Sequence, residues 1–174
     1  STRHNPEFTM MELYQAFADW TDVMAITERL ITQSAIDALG TSVITIRRGQ
    51  PDEVQVDLAE PWPRLSMSGA VSDATGVTAH PSMPVDEARA LADKHGAPYE
   101  PSWGSGRIIE SLFEELCEAS LVRPTFVTGH QVEISPLARV DRDDPFVTER
   151  FELFVDAREL ANGYSELNDP VEQR

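Results

Sequence analysis

The sequence predicts an α+β fold in which an antiparallel sheet is flanked by helices. Three observations carry that prediction. Strand-like runs stand near both ends of the chain, helix-period apolar stripes lie between them, and Gly- or Pro-rich turns separate the segments. A length of 174 residues suits one domain.

Ser1 to Asn5 reads as a loop, and residues 8–14 follow as a strand-like run. Phe8, Met10, Glu12 and Tyr14 fall on one face of that run, and Thr9, Met11 and Leu13 on the other. A carboxylate sharing a face with Met and Tyr is unusual. Thr21 and Asp22 are good helix caps. Val23, Ile26, Leu30, Ile31, Ala35, Ile36 and Leu39 then recur at mostly helical spacing until Gly40. Strands are expected over 42–47 and 54–59, joined by Gly49-Gln50-Pro51-Asp52. After Pro61-Trp62-Pro63, residues 64–68 read as a short strand and 72–81 as loop or weak helix.

Residues 84–95 are helical in pattern, with an early proline, an acidic first turn and Gly96 as the stop. The helix over 105–121 has a clear apolar stripe of Ile108, Ile109, Leu112, Phe113, Leu116 and Leu121. Cys117 lies on that stripe and is expected to be a buried structural thiol. Strands at 125–128, 148–155 and 158–164 complete the pattern, the last two as a hairpin around Asp156-Ala157.

Composition excludes several function classes. With 14 Lys+Arg against 30 Asp+Glu, the formal charge is −16, which argues against a stand-alone nucleic-acid binder. At 41% hydrophobic residues, disorder is a poor reading. No apolar run approaches the ~20 residues needed to span a bilayer, and no charged-then-apolar leader opens the chain. One cysteine permits no internal disulfide and no zinc framework, and suits a reducing cytosol. His4, His80, His95 and His130 are scattered without metal-ligand spacing, and no GxSxG, Walker A, GxGxxG or HExxH motif is present. Gly104-Ser105-Gly106-Arg107 reads as a hinge, or more weakly as an anion-binding helix start.

The chemistry concentrates in the last hairpin. A two-residue turn at Asp156-Ala157 places Val155 opposite Arg158, Phe154 opposite Glu159 and Glu152 opposite Ala161. Ala157 fits a type I′ turn poorly, because that turn wants positive φ. In this register Glu152 and Glu159 are diagonal neighbours, roughly 7–8 Å apart. Two readings follow: a hard cation such as Mg²⁺ or Mn²⁺ lies between them, or both are solvated and unrelated. Glu166 stands seven positions beyond Glu159, so a bulge at Asn162-Gly163 is needed to bring it to the same face. Otherwise it belongs to a polar closing turn.

Three stretches together resemble one family. Arg3-His4-Asn5-Pro6-Glu7-Phe8-Thr9-Met10-Met11-Glu12-Leu13-Tyr14 is similar to the later part of motif 2 of class II lysyl-tRNA synthetases. Glu133-Ile134-Ser135-Pro136-Leu137-Ala138 and the Glu159-Leu160-Ala161-Asn162-Gly163-Tyr164-Ser165-Glu166-Leu167-Asn168-Asp169-Pro170 core follow in the family's order.

The resemblance implies that His4, Asn5 and Phe8 belong to an ATP pocket, with Phe8 stacking on adenine. It implies that Glu152 and Glu159 hold Mg²⁺, that Glu12 takes the α-ammonium of L-lysine, and that Asn162 takes its carboxylate. Tyr14, Tyr164 and Glu166 then form the side-chain pocket, Glu166 pairing with the ε-ammonium. The activity implied is formation of lysyl-adenylate and its transfer to tRNA(Lys) in the cytoplasm, by a homodimer without membrane contact.

Residues 1–174 read as part of a class II catalytic domain between motif 2 and motif 3, with a helical and strand insertion around 62–104. Motif 1, the motif 2 arginine, motif 3 and an anticodon-binding barrel fall outside this sequence, so the 174 residues alone are expected to have little aminoacylation activity. Two alternatives accompany this reading. One is the lysyl-transferring paralogue that modifies elongation factor P, and the other is a non-catalytic module descended from a synthetase.

Overall fold

A computed structural model describes residues 6–171 and 173. In chain order the elements are α1 (Trp20–Leu39), β1 (Val43–Ile46), β2 (Val54–Asp57), β3 (Arg64–Ser66), α2 (Met67–Thr75) and α3 (Val85–His95). They continue with α4 (Ser105–Leu116), β4 (Thr125–Thr128), β5 (Arg150–Phe154) and β6 (Glu159–Tyr164). β1 and β2 form an antiparallel hairpin, and β3-β4-β5-β6 form a four-stranded sheet in that order. The fold is α+β.

The expected antiparallel sheet is corrected at one pair: β3 runs parallel to β4, while β4-β5 and β5-β6 are antiparallel. A parallel pair needs a long crossover, and α2, α3 and α4 supply it between the two strands. Residues 62–104, expected as an insertion, contain β3 and contribute α2 and α3 to this crossover.

Strand periodicity divides the core between the two faces of the sheet. On one face Val127 and Phe154 pack with Ile108, Ile109, Leu112 and Phe113 of α4 and with Val71 and Ala88 of α2 and α3. On the other face Phe126, Phe151 and Leu153 pack with Met24 of α1, Ile46 and Val56 of the hairpin, and Trp62. Phe126 meets Phe151 edge-on at 5.3 Å between ring centres, and Trp62 lies 5.6 Å away on the other side. Cys117 is buried among the α4 cluster, and burial raises its thiol above the ordinary value.

Helix ends follow their local chemistry. Asp19, rather than Thr21, caps α1: its carboxylate accepts from Thr21 N and Asp22 N, and the Asp22 carboxylate accepts from Asp19 N in return. Gly40 closes α1 in the left-handed conformation. The stretch expected as strand over 64–68 stops at Ser66, whose Oγ accepts from Gly69 N and starts α2. This cap turns the residues expected as loop or weak helix into an ordered helix. The helix expected to reach residue 121 ends at Leu116 and tightens into a 3₁₀ turn over Glu118–Ser120.

Two expectations are overturned on exposed segments. Residues 8–14 form no strand: among the described residues they have no ladder partner, and Phe8, Met10, Met11 and Tyr14 are exposed. Alternating chemistry favours an extended chain, but a strand exists only when a neighbour takes its hydrogen bonds. Along α1, only Met24 is fully buried, while Leu30, Ile36 and Leu39 stay exposed. The side of the helix meeting β5 and β6 is narrower than its apolar stripe.

Candidate functional site

The β5-β6 hairpin organises the site. Asp156 and Ala157 take φ of 55° and 54°, and Val155 and Arg158 exchange backbone hydrogen bonds at 2.9 and 3.2 Å. The turn is therefore of the primed kind despite the alanine. Neighbouring groups hold it there. Asp156 N donates to Val122 O, Ala157 N donates to Leu121 O, and Arg47 Nε donates to the Asp156 carboxylate at 2.6 Å. Tertiary contacts thus override the poor propensity of alanine for this conformation.

Beyond the turn, Phe154 opposes Glu159 as the sequence predicts, but Glu152 opposes Asn162 and not Ala161. The register shifts between Leu153 and Phe154, so the extra residue in β6 is Leu160. The bulge expected at Asn162-Gly163 therefore lies earlier, where Leu160 is exposed and free to be the unpaired residue. Gly163 is needed inside the ladder instead, because a Cβ there would lie 2.6 Å from the Phe151 ring. The shift has the effect that chemistry requires. Glu159, Asn162, Tyr164 and, by continued alternation, Glu166 share the face of Arg150 and Glu152.

That face looks onto α4. Glu152 and Glu159 line a groove of about 280 Å³ together with Met67, Phe154 and three further carboxylates, Glu110, Glu114 and Glu118. The Glu152 side chain is only 16% exposed. Burial, then the charge of Glu159, pushes its carboxyl up to about 7, against the pull of Arg150. Burial and then Glu114 likewise raise Glu110. Two crowded carboxylates, the largely desolvated Glu152 and the exposed Glu159, suit a hard divalent cation, which would relieve the repulsion between them.

Among the described residues, no group of three or more His, Cys, Asp or Glu side chains is arranged to hold a metal ion. Glu152 and Glu159 would therefore share any such ion with phosphate oxygens and water.

Arg150 sits at the centre of this face. It donates to Glu152 Oε1 at 2.6 Å, to Asn162 Oδ1 at 3.0 Å, and to Ser135 Oγ and Ile134 O at 2.9 and 3.3 Å.

The two ends of the chain converge at the other end of the face. Trp20 N donates to Ser165 Oγ at 3.1 Å, which ties the first residue of α1 to the residue next to Glu166. Tyr14 lies close enough to Tyr164 and Glu166 for both to raise its phenol, after the larger effects of Glu12 and burial. Its hydroxyl also reaches Glu12 Oε2 at 3.5 Å. The backbone around Glu166 is held by a bridge to Ala138, by Arg139 N donating to Ser165 O, and by Leu167 N donating to Leu137 O. Arg139 is paired with the buried Glu149.

The structure thus brings Glu12, Tyr14, Tyr164 and Glu166 together, and Glu152, Glu159 and Asn162 together. Phe8 is 74% exposed and stands apart from both groups. His4 and Asn5 lie outside the described residues.

Several side chains of this face stand outside the sequence reading. Arg150 lies two residues from Glu152, so strand parity alone puts both on one face. Glu110, Glu114 and Glu118 recur every four residues on the helix side opposite the apolar stripe. Gly104 and Gly106 do surround an anion, but an internal one: Glu133 accepts from Gly104 N at 2.8 Å and Arg107 N at 3.2 Å. A Cβ on Gly104 would lie 2.7 Å from that carboxylate.

Among the described residues the histidines do not cluster. His80 bridges Ser82 and Asp144, and His130 is buried with its imidazole pushed down to about 3, chiefly by burial. None of the described helices is long and apolar enough to cross a membrane.

Comparison with known proteins identifies the family. A family model described as class II tRNA synthetases (D, K and N) matches residues 1–174. A lysine–tRNA ligase of Halalkalibacterium halodurans is 49% identical over 174 residues, covering all of this chain and 34% of that protein. Lysine–tRNA ligases of Bacillus subtilis and Shouchella clausii are each 48% identical over the same length and share. The chain spans about a third of the length of these curated relatives.

Proposed function

The chain belongs to the class II tRNA synthetase family (D, K and N), and from that premise we propose that the protein activates lysine with ATP and transfers it to tRNA(Lys). The observation that supports this reading best is the shared face of β5-β6, where Glu159, Asn162 and Tyr164 stand with Glu152 beside a groove lined by further carboxylates. The described fold is then part of a class II catalytic domain, the stretch between its second and third sequence motifs, in a cytoplasmic homodimer.

A cationic substrate needs carboxylates, and its apolar stem needs aromatic walls. Glu166 pairs with the ε-ammonium, Glu12 with the α-ammonium, and Tyr14 and Tyr164 flank the methylene chain. Asn162 orients the carboxylate. An analogue lacking the ε-ammonium leaves Glu166 unpaired, which is how a polar pocket rejects it.

Phe8 offers its ring to adenine, with His4 and Asn5 beside the nucleotide. Glu152 and Glu159 would hold Mg²⁺, which would neutralise charge on the phosphates. The oriented lysine carboxylate attacks the α-phosphorus in line, releasing pyrophosphate and leaving lysyl-adenylate. The terminal ribose hydroxyl of the tRNA then takes the lysyl group and releases AMP. No protein nucleophile is required, so the residues act by positioning and electrostatics.

Lysine-dependent ATP–pyrophosphate exchange in the full-length protein tests the proposal. Exchange that responds to lysine and to no other standard amino acid is expected. Its absence, or an equal response to aspartate or asparagine, overturns the assignment.

A further inference from the structure

The Arg150 guanidinium is bound on all sides. Its Nε donates to Asn162 Oδ1, one terminal nitrogen donates to Glu152 Oε1, and the other donates to Ser135 Oγ and Ile134 O. The fork is planar and rigid, so these partners fix its direction as well as its place. Arginine carries donors only. An asparagine amide that meets it must therefore present its oxygen.

The geometry points to Arg150 as a positioning residue for carboxylate recognition: by engaging Oδ1 of Asn162 it leaves Nδ2 as the donor facing the α-carboxylate of the bound amino acid. This inference rests on the lysine-activating reading and adds to it the residue that decides which end of the Asn162 amide the substrate meets.

Asn162 is exposed, and its own side chain has no other hydrogen-bond partner among those described. Without Arg150 its two amide ends are free to exchange, and the flipped form turns an oxygen toward a carboxylate. Glu152, Ser135 and the Ile134 carbonyl matter here because they stop the guanidinium from swinging toward the substrate itself.

The test compares L-lysine with L-lysinamide, in which a neutral amide replaces the carboxylate. Calorimetric titrations on the full-length protein, free of metal and nucleotide, give both affinities. Arg150→Met is expected to weaken lysine ~10-fold, about the worth of one charge-assisted hydrogen bond, and to change lysinamide by less than ~2-fold. Arg150→Lys keeps the charge without the fork and is expected to weaken lysine ~3-fold, which decides the matter if the methionine variant does not fold. In an Asn162→Ala background, Arg150→Met adds no further loss, because the two residues act as one unit.

Equal weakening of both ligands indicates a structural role and overturns the inference, as does unchanged lysine affinity. Failure of the unsubstituted protein to bind lysine at all overturns the underlying function instead.

Discussion

Replacing Glu152 by glutamine separates the carboxylate's role in function from its effect on stability. Glu152 is mostly buried, and its carboxyl is pushed from the ordinary value of 4.5 up to about 7. A raised carboxyl binds protons in the folded chain that the unfolded chain has already released. Its ionisation therefore destabilises the fold in full above pH 7, and this destabilisation fades as pH falls through 7 toward 4.5. The gap between those values, at ~1.4 kcal/mol per pH unit, gives a burden of ~3 kcal/mol at pH 8.

Glutamine has nearly the same shape and carries no charge. Glu152→Gln, measured by urea unfolding without divalent metal, is therefore expected to be more stable than the parent by ~3 kcal/mol at pH 8 and nearly equal to it at pH 4.5. Adding Mg²⁺ should narrow the difference, since binding stabilises only the chain that retains both carboxylates. A variant less stable than the parent at pH 8 refutes the reasoning, because it means that the Arg150 pair outweighs the desolvation of Glu152.

Other substitutions probe the scaffold. His130 is pushed down to about 3, so stability is complete above pH 6.5 and falls as the unfolded chain takes up its proton. In the Glu152→Gln background, where the opposing carboxyl is gone, lowering pH from 7 to 5 should cost ~2 kcal/mol, and His130→Gln should remove that loss. Ala157→Gly, at φ of 54°, should raise stability by ~1 kcal/mol in thermal or urea unfolding, and a loss contradicts the turn assignment. Gly163→Ala forces a methyl to within 2.6 Å of the Phe151 ring and should lower stability by ~2 kcal/mol or more. Glu133→Ala removes the carboxylate at the start of α4 and should cost ~1 kcal/mol, seen as a lower Tm.

Much of the fold was legible because its signals are local. The glycine stops of α1 and α3, the strand at β4, and the hairpin pairing of Phe154 with Glu159 all follow from residue type and period. What escaped depends on partners distant in sequence. The parallel pairing of β3 with β4 is set by the packing of a crossover of three helices, and no residue of Arg64–Ser66 announces it. Residues 8–14 have strand-like alternation without a ladder.

The site divides in the same way. Glu152, Glu159, Asn162 and Glu166 were identifiable by type, but the bulge that aligns them lies at Leu160, because Gly163 is occupied by its contact with Phe151. Arg150 was overlooked because an arginine beside a glutamate on an acidic chain reads as a solvated pair until Ser135 and Asn162 are seen around it.

In the proposed function, segments near both ends of the chain build one pocket for a diamino acid, with Glu166 reading its distal ammonium. Calorimetry of the full-length protein with L-lysine and with L-norleucine, which lacks the distal nitrogen, tests it most directly. Tight lysine binding, no detectable norleucine binding, and loss of the discrimination in Glu166→Gln are expected. Undiminished preference for lysine in that variant would contradict it.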